Sequence, residues 1–268
     1  MQYIIAKRKG IVTVSGGGGS NLSSSSGEKP CLNFGFTLAE VLITLGIIGI
    51  VAAMTLPSVI NKIQKKDASA RLKKFYSAIN QAINLSTVDN GPPSSWSDDL
   101  TYHDADELYN WFDKYIMQYM VVVKKCKDGK SNCTGNYKFC LYPGKCGATS
   151  ASSEVLYVFG DGSMITAITG GGYDSETNIV KGLTIHVRMD TNGYKKPNTL
   201  GQDVFSFRIS INKDFHYTTC DDHKSLTGGA VSLKGKREDL LSACKTDPQT
   251  CTCLLMYDGW EFKKDYPW

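Results

Sequence analysis

Residues 36–56, FTLAEVLITLGIIGIVAAMTL, form an apolar run of 21 positions that carries one charge, Glu40. At about 1.5 Å per residue, a helix of that length reaches roughly 30 Å, the thickness of a bilayer core. A carboxylate in hydrocarbon costs on the order of 3 kcal/mol even on the mildest scales. Glu40 must therefore be paired or lie at the interface.

The sequence ahead of the run is of another kind. Lys7, Arg8 and Lys9 are followed by SGGGGSNLSSSSGEKP, a Gly/Ser tract that cannot bury a core. Residues 1–35 are expected to be a leader. They hold four Lys/Arg against one Glu, a net +3, so their removal lowers the formal charge from +4 to +1. A nearly neutral chain carries no nucleic-acid footprint. Removal also takes Cys31 and leaves eight of the nine cysteines: Cys126, Cys133, Cys140, Cys146, Cys220, Cys244, Cys251 and Cys253. An even number suits a disulfide framework outside the cytoplasm, with 105 possible pairings. Zinc is disfavoured because no C-x-x-C occurs, the nearest pair being Cys251 and Cys253. No apolar segment precedes Cys31, which argues against a lipoprotein.

Beyond the run, Val59, Ile63, Leu72, Phe75, Ile79 and Ile83 recur at helical intervals among Lys and Arg. The helix is expected to span 36–88, membrane-embedded over 36–56, with a bend at Pro57, which lacks a backbone donor. DNGPPSS then ends it with turn residues. Residues 89–268 are expected to form a Cys-rich α+β globular domain. A second helix is predicted over 105–119, its core face made by Leu108, Trp111, Phe112, Tyr115, Ile116 and Tyr119. EVLYVF and SMITAIT flank Gly160-Asp161-Gly162, a hairpin signal, and LTIHVRM and DVFSFRISI show strand alternation. Four strands without intervening helices imply an antiparallel sheet. REDLLSACK offers a short helix near the C-terminus.

The junction Gly35-Phe36-Thr37-Leu38-Ala39-Glu40 resembles that of the type IV pilin and type II secretion pseudopilin family. Its members have glycine before a cut, an aromatic first mature residue and glutamate at the fifth mature position; counted from Phe36, Glu40 is fifth. The charge-free run ending at Pro57 extends the resemblance over about 25 residues. Weaker likenesses lie in MDTNGYKKPNTLGQDVF, similar to the loop before the last sheet strand of pseudopilin-like proteins, and in the ending DGWEFKKDYPW. The 35-residue leader is longer than the short basic leaders of many pilins.

The resemblance implies a pilin-like α+β fold, a long bent N-terminal helix packed on an antiparallel sheet with disulfide-stapled loops. It also implies cleavage by a prepilin peptidase between Gly35 and Phe36, N-methylation of Phe36, and assembly with other pilin or pseudopilin subunits through a salt bridge to Glu40. Localisation would begin in the bacterial inner membrane, as a single-pass chain, and end in a periplasmic or extracellular filament. The alternative is a membrane-anchored extracellular binding module or adhesin, with the helix as a tether. Lys62, Lys65, Lys66, Arg71, Lys73 and Lys74 crowd the far flank of the run, where a positive-inside tendency would keep them cytoplasmic. The disulfide argument and the resemblance place that flank outside.

Asp190, Asn192, Asn198 and Asp203 fall in one Gly-containing loop whose oxygens suit calcium, and some pseudopilins bind calcium in a comparable loop. A tight Asn-Gly turn between strands is the preferred reading. Catalytic signals are poor. His103, His186, His216 and His223 are scattered, with His186 expected on the wet side of a strand, and Ser163 lacks a nucleophile elbow. The glycine tracts lack the Lys-Ser/Thr of a phosphate loop. No enzyme is expected.

Overall fold

The computed structural model describes residues 36–96, 100–127, 137–142, 144–148, 154–173, 180–210, 216–217 and 235–268. Gly35, Cys133 and Cys220 lie outside them. The chain divides into two compact units, Met1–Ala52 and Ala53–Trp268, and the boundary falls inside helix α1, Leu38–Asn90.

Within the first unit, the described part of α1 is apolar on every side. Leu42, Ile43, Ile47 and Ile48 are each about 60% exposed. A helix with apolar side chains all round requires apolar surroundings, and α1 is long and apolar enough to cross a membrane. Pro57 lies inside α1.

In the second unit, α1 becomes one-sided. Ala68, Leu72, Phe75, Ile79, Ala82, Ile83 and Ser86 are buried, a stripe at spacings of mostly three and four. Val59 and Ile63 continue the period by sequence but are 50% and 62% exposed, so the buried face begins only at Ala68. Each fully buried Leu or Ile on this stripe contributes about 2 kcal/mol.

The stripe packs on the inner face of an antiparallel sheet with strand order β1-β4-β5-β6-β7-β8. Its strands are β1 Val122–Cys126, β4 Val155–Phe159, β5 Met164–Tyr173, β6 Val180–Asp190, β7 Val204–Ser210 and β8 His216–Tyr217; β2 Lys138–Tyr142 and β3 Lys145–Ala148 form a separate hairpin. Alternation sends Ile185, Val187 and Met189 of β6, and Phe205, Phe207 and Ile209 of β7, into the core. Phe75 meets Phe207 edge-on at 5.5 Å between ring centroids and Phe159 at 6.0 Å. The protein is thus α+β, with a long N-terminal helix, an antiparallel sheet and disulfides.

The β4–β5 turn docks on α1 through Asp161. Lys74 Nζ donates to its carboxylate at 2.7 Å and Arg71 to its carbonyl at 2.7 Å. Burial pushes the Asp161 carboxyl upward, but the hydrogen bonds from Lys74 and Ser163 prevail and hold it at about 2. Helix α2, Ala105–Tyr115, starts where Asp104 accepts from the N–H groups of Asp106 and Glu107. Its face of Leu108, Trp111, Phe112 and Tyr115 is buried, and Tyr115 stacks on Trp96 at 4.7 Å. The predicted helix is four residues too long, because a separate 3₁₀ turn, Met117–Tyr119, follows Ile116.

His186 is half-buried rather than wet: it occupies space left by Gly170, where a Cβ would collide with its ring. Burial, then the nearby Arg208 and Arg188, depress its pKa to about 4.

After β8 come α3, Arg237–Thr246, and α4, Cys251–Tyr257. The Arg237 guanidinium makes paired contacts of 2.7–2.8 Å with both Asp258 and Asp265, tying the start of α3 to the C-terminal segment. That segment lies along α1, where Trp260 packs on Tyr76 at 5.1 Å and accepts a hydrogen bond from Ser69.

Candidate functional site

The first turn of α1 is organised by Thr37 and Glu40. The Thr37 N–H and hydroxyl donate to Glu40 Oε2 at 2.8 and 2.7 Å, and Thr37 Oγ1 accepts from the Glu40 N–H at 3.2 Å. This is a capping box, in which threonine before the helix and glutamate at its third residue satisfy each other's backbone donors. The carboxylate also meets the positive end of the helix dipole. Glu40 Oε1 has no hydrogen-bond partner among the described residues. Phe36 precedes the box and is 87% exposed. Thr37 is not among the residues singled out from the sequence, although T-x-x-E ahead of an apolar run is a helix-start signature legible without a structure.

The acidic loop between β6 and β7 brings Asp190, Asn192, Asn198 and Asp203 together. Asp190 Oδ1 accepts from the N–H groups of Asn192 at 3.0 Å and Gly193 at 2.7 Å, and Oδ2 accepts from the Tyr137 hydroxyl at 2.9 Å. Asp203 Oδ1 accepts from Thr199 N–H at 2.6 Å; its Oδ2 accepts from Asn198 N–H at 2.9 Å and Asn192 Nδ2 at 3.0 Å. Both aspartates are almost fully buried. Gly193 is required: its φ is +69°, and a Cβ there would strike the Gly162 carbonyl oxygen. Tyr137 is 53 positions from Asp190, and nothing in the sequence announces the contact.

All four carboxylate oxygens thus accept hydrogen bonds already, three from the loop's own donors and one from Tyr137, which favours the turn reading. Calcium would have to displace the Tyr137 hydroxyl and the Asn192 amide; among the described residues of this loop the Asn192 and Asn198 Oδ1 atoms are buried without a partner. Among the described residues no cluster of three or more His, Cys, Asp or Glu side chains is placed to hold a metal.

Burial, then the facing Asp203, pushes the Asp190 carboxyl up from 3.8 to about 8. A raised carboxyl stabilises the fold fully below its unfolded value and loses that contribution as pH rises through the folded one. The unfolding temperature of the full chain in detergent should therefore drop by several degrees between pH 5 and pH 8, and Asp190→Asn should flatten the slope. Chelator should change nothing. A calcium-induced rise in unfolding temperature, larger at pH 8 than at pH 5, would assign a cation to the loop instead.

Two cysteine pairs are bonded within the described residues: Cys140–Cys146 across the β2–β3 hairpin, and Cys244–Cys251 between α3 and α4. Cys126 and Cys253 are also disulfide-bonded.

The model of a family of unknown function (DUF6613) matches residues 58–268. No curated protein and no solved structure matches the chain.

Proposed function

Because the chain belongs to this family of unknown function, its role must be read from its own residues, and we propose that it is a filament subunit, a pilin or pseudopilin assembled through α1. The observation that carries this reading is a carboxylate whose second oxygen has no hydrogen-bond partner among the described residues, held by the capping box in the first turn of a helix whose part in the first unit is otherwise apolar on every side. A tether has no use for such a group, whose burial in hydrocarbon is a cost.

The chemistry follows from the junction. Hydrolysis of the Gly35–Phe36 bond by a prepilin peptidase turns the Phe36 amide into an ammonium, with methylation as its usual sequel in the family that this junction resembles. Before the cut, Glu40 serves only its own helix start. Afterwards, a cation exists four residues away on the same chain and on every neighbouring copy. In a packed bundle of such helices, Glu40 of one subunit meets the Phe36 ammonium of the next, so neither charge stays unpaired in an apolar setting.

The subunit begins as a single-pass protein of the bacterial inner membrane, with the disulfide-bearing unit outside the cytoplasm. It then passes into a periplasmic or extracellular filament. Shearing cells and fractionating the product by sedimentation tests this: the chain should enter the filament fraction, and a chain confined to membranes as a monomer would favour the adhesin reading.

A further inference from the structure

Where α1 meets the β4–β5 turn and the β6–β7 loop, a pocket of about 420 Å³ opens, within the roughly 300–1,000 Å³ range of small-ligand sites. All of its walls belong to the second unit. Two amides, Gln64 from α1 and Gln202 from the loop, line it and have no hydrogen-bond partner among the described residues. A third, Asn192, uses its nitrogen on Asp203, while its Oδ1 is buried with no partner. Trp268 adds an aromatic wall, its ring met edge-on by Phe262 at 4.8 Å.

The charges around the pocket do not balance. Asp67 is matched by Arg71 at 2.9 Å, Asp161 by Lys74 at 2.7 Å, and both oxygens of Asp203 accept hydrogen bonds from their own loop. Lys195 and Lys196 are left over: both line the pocket, both are exposed, and neither forms an ion pair among the described residues. These groups together define a ligand chemistry. An amide is donor and acceptor at once, so unpartnered amides match a ligand whose polar groups are also both, as hydroxyls are. A phosphate, which only accepts, would leave the Asn192 oxygen unsatisfied, and an apolar ligand would bury all three amides without partners. The indole face suits a flat array of C–H groups. A sugar ring offers that face and a rim of hydroxyls, and a carboxylate on it would answer the two lysines.

We propose that this pocket binds an acidic saccharide, with a sugar ring against Trp268, its hydroxyls on Gln64, Asn192 and Gln202, and a uronic carboxylate on Lys195 and Lys196. The site is complete within one copy, so it does not rest on the filament reading. Assembled subunits would repeat it along the filament, and the repetition would raise the avidity for a polymeric saccharide without any new contact.

The test uses the full chain in detergent, with its disulfides intact, against a panel of immobilised oligosaccharides: oligogalacturonate, oligoglucuronate, and uncharged galacto- and malto-oligosaccharides of the same length. At least one acidic member should bind saturably, at least about tenfold more tightly than its neutral counterpart. The double variant Lys195→Gln/Lys196→Gln should abolish that preference. Gln64→Ala should weaken acidic and neutral members alike, by about fivefold. All three side chains are exposed, so both variants should unfold at the wild-type temperature. Absence of saturable binding to every member would overturn the proposal. So would binding that neither variant alters, the mark of a site elsewhere on the chain. Citrate competing as well as the free saccharide, with Gln64→Ala without effect, would reduce the pocket to an anion site and overturn it as well.

Discussion

Gly35→Val is expected to leave the full-length precursor in the membrane, with processed chain reduced by more than about tenfold, a barrier increase of only about 1.4 kcal/mol. A β-branched side chain beside the scissile bond fills the space that glycine leaves open and stiffens the backbone that must enter the peptidase. The effect is large because every later step depends on the cut. Without it there is no Phe36 ammonium for Glu40 to meet. Normal processing of this variant would count strongly against the filament reading.

The second large effect separates two roles that Glu40 holds at once. As a cap it needs only an acceptor; as a partner for an ammonium it needs its charge. Glu40→Gln keeps a side chain that the third helical position of a capping box accepts, yet removes the charge. Thr37→Ala does the reverse, giving up the hydroxyl at a cost of about 1 kcal/mol while leaving the carboxylate in place. If pairing is what matters, Thr37→Ala should enter sheared filaments near the wild-type level, while Glu40→Gln and Glu40→Ala fall by at least about tenfold. An unpaired ammonium in a packed apolar bundle costs several kcal/mol, more than the roughly 1.4 kcal/mol that a tenfold change requires. Cleavage, insertion and disulfide formation should persist in all three. Equal damage from Thr37→Ala and Glu40→Gln would reduce Glu40 to a helix cap. Wild-type incorporation of both Glu40 variants would remove it from assembly altogether.

Where a physical signal repeats along the chain, the fold was legible in advance. Leu72, Phe75, Ile79 and Ile83 recur at helical spacing and are buried, as are Leu108, Trp111, Phe112 and Tyr115 of α2. The alternation of β4 to β7 likewise marked an antiparallel sheet. Strand β1 escaped notice because it is an edge strand carrying Lys124 and Lys125, the charged residues that protect an edge and break the apolar pattern. Strands β2 and β3 are five and four residues long, too short for a period to show. Val59 and Ile63 misled in the other direction: periodicity continues there, but no part of the described second unit covers them.

The candidate sites divide in the same way. The junction at Phe36 and Glu40 is a local pattern and stands out in sequence; the Thr37 cap is equally local but hidden by the apolar run that follows it. The acidic loop was visible as a group of oxygens. What those oxygens do depends on Tyr137 and on backbone N–H groups whose direction no sequence reveals. Pairing of Cys140 with Cys146, and of Cys244 with Cys251, likewise depends on distances that a count of cysteines does not contain.

The central claim is that a peptidase creates a cation at Phe36 for Glu40 to meet. The most direct measurement is the identity and mass of the N-terminal residue of the chain purified from membranes of the cell that makes it. A chain beginning at Phe36 with a methylated α-amine is the predicted result. A chain that keeps residues 1–35, or begins anywhere other than Phe36, would contradict the account.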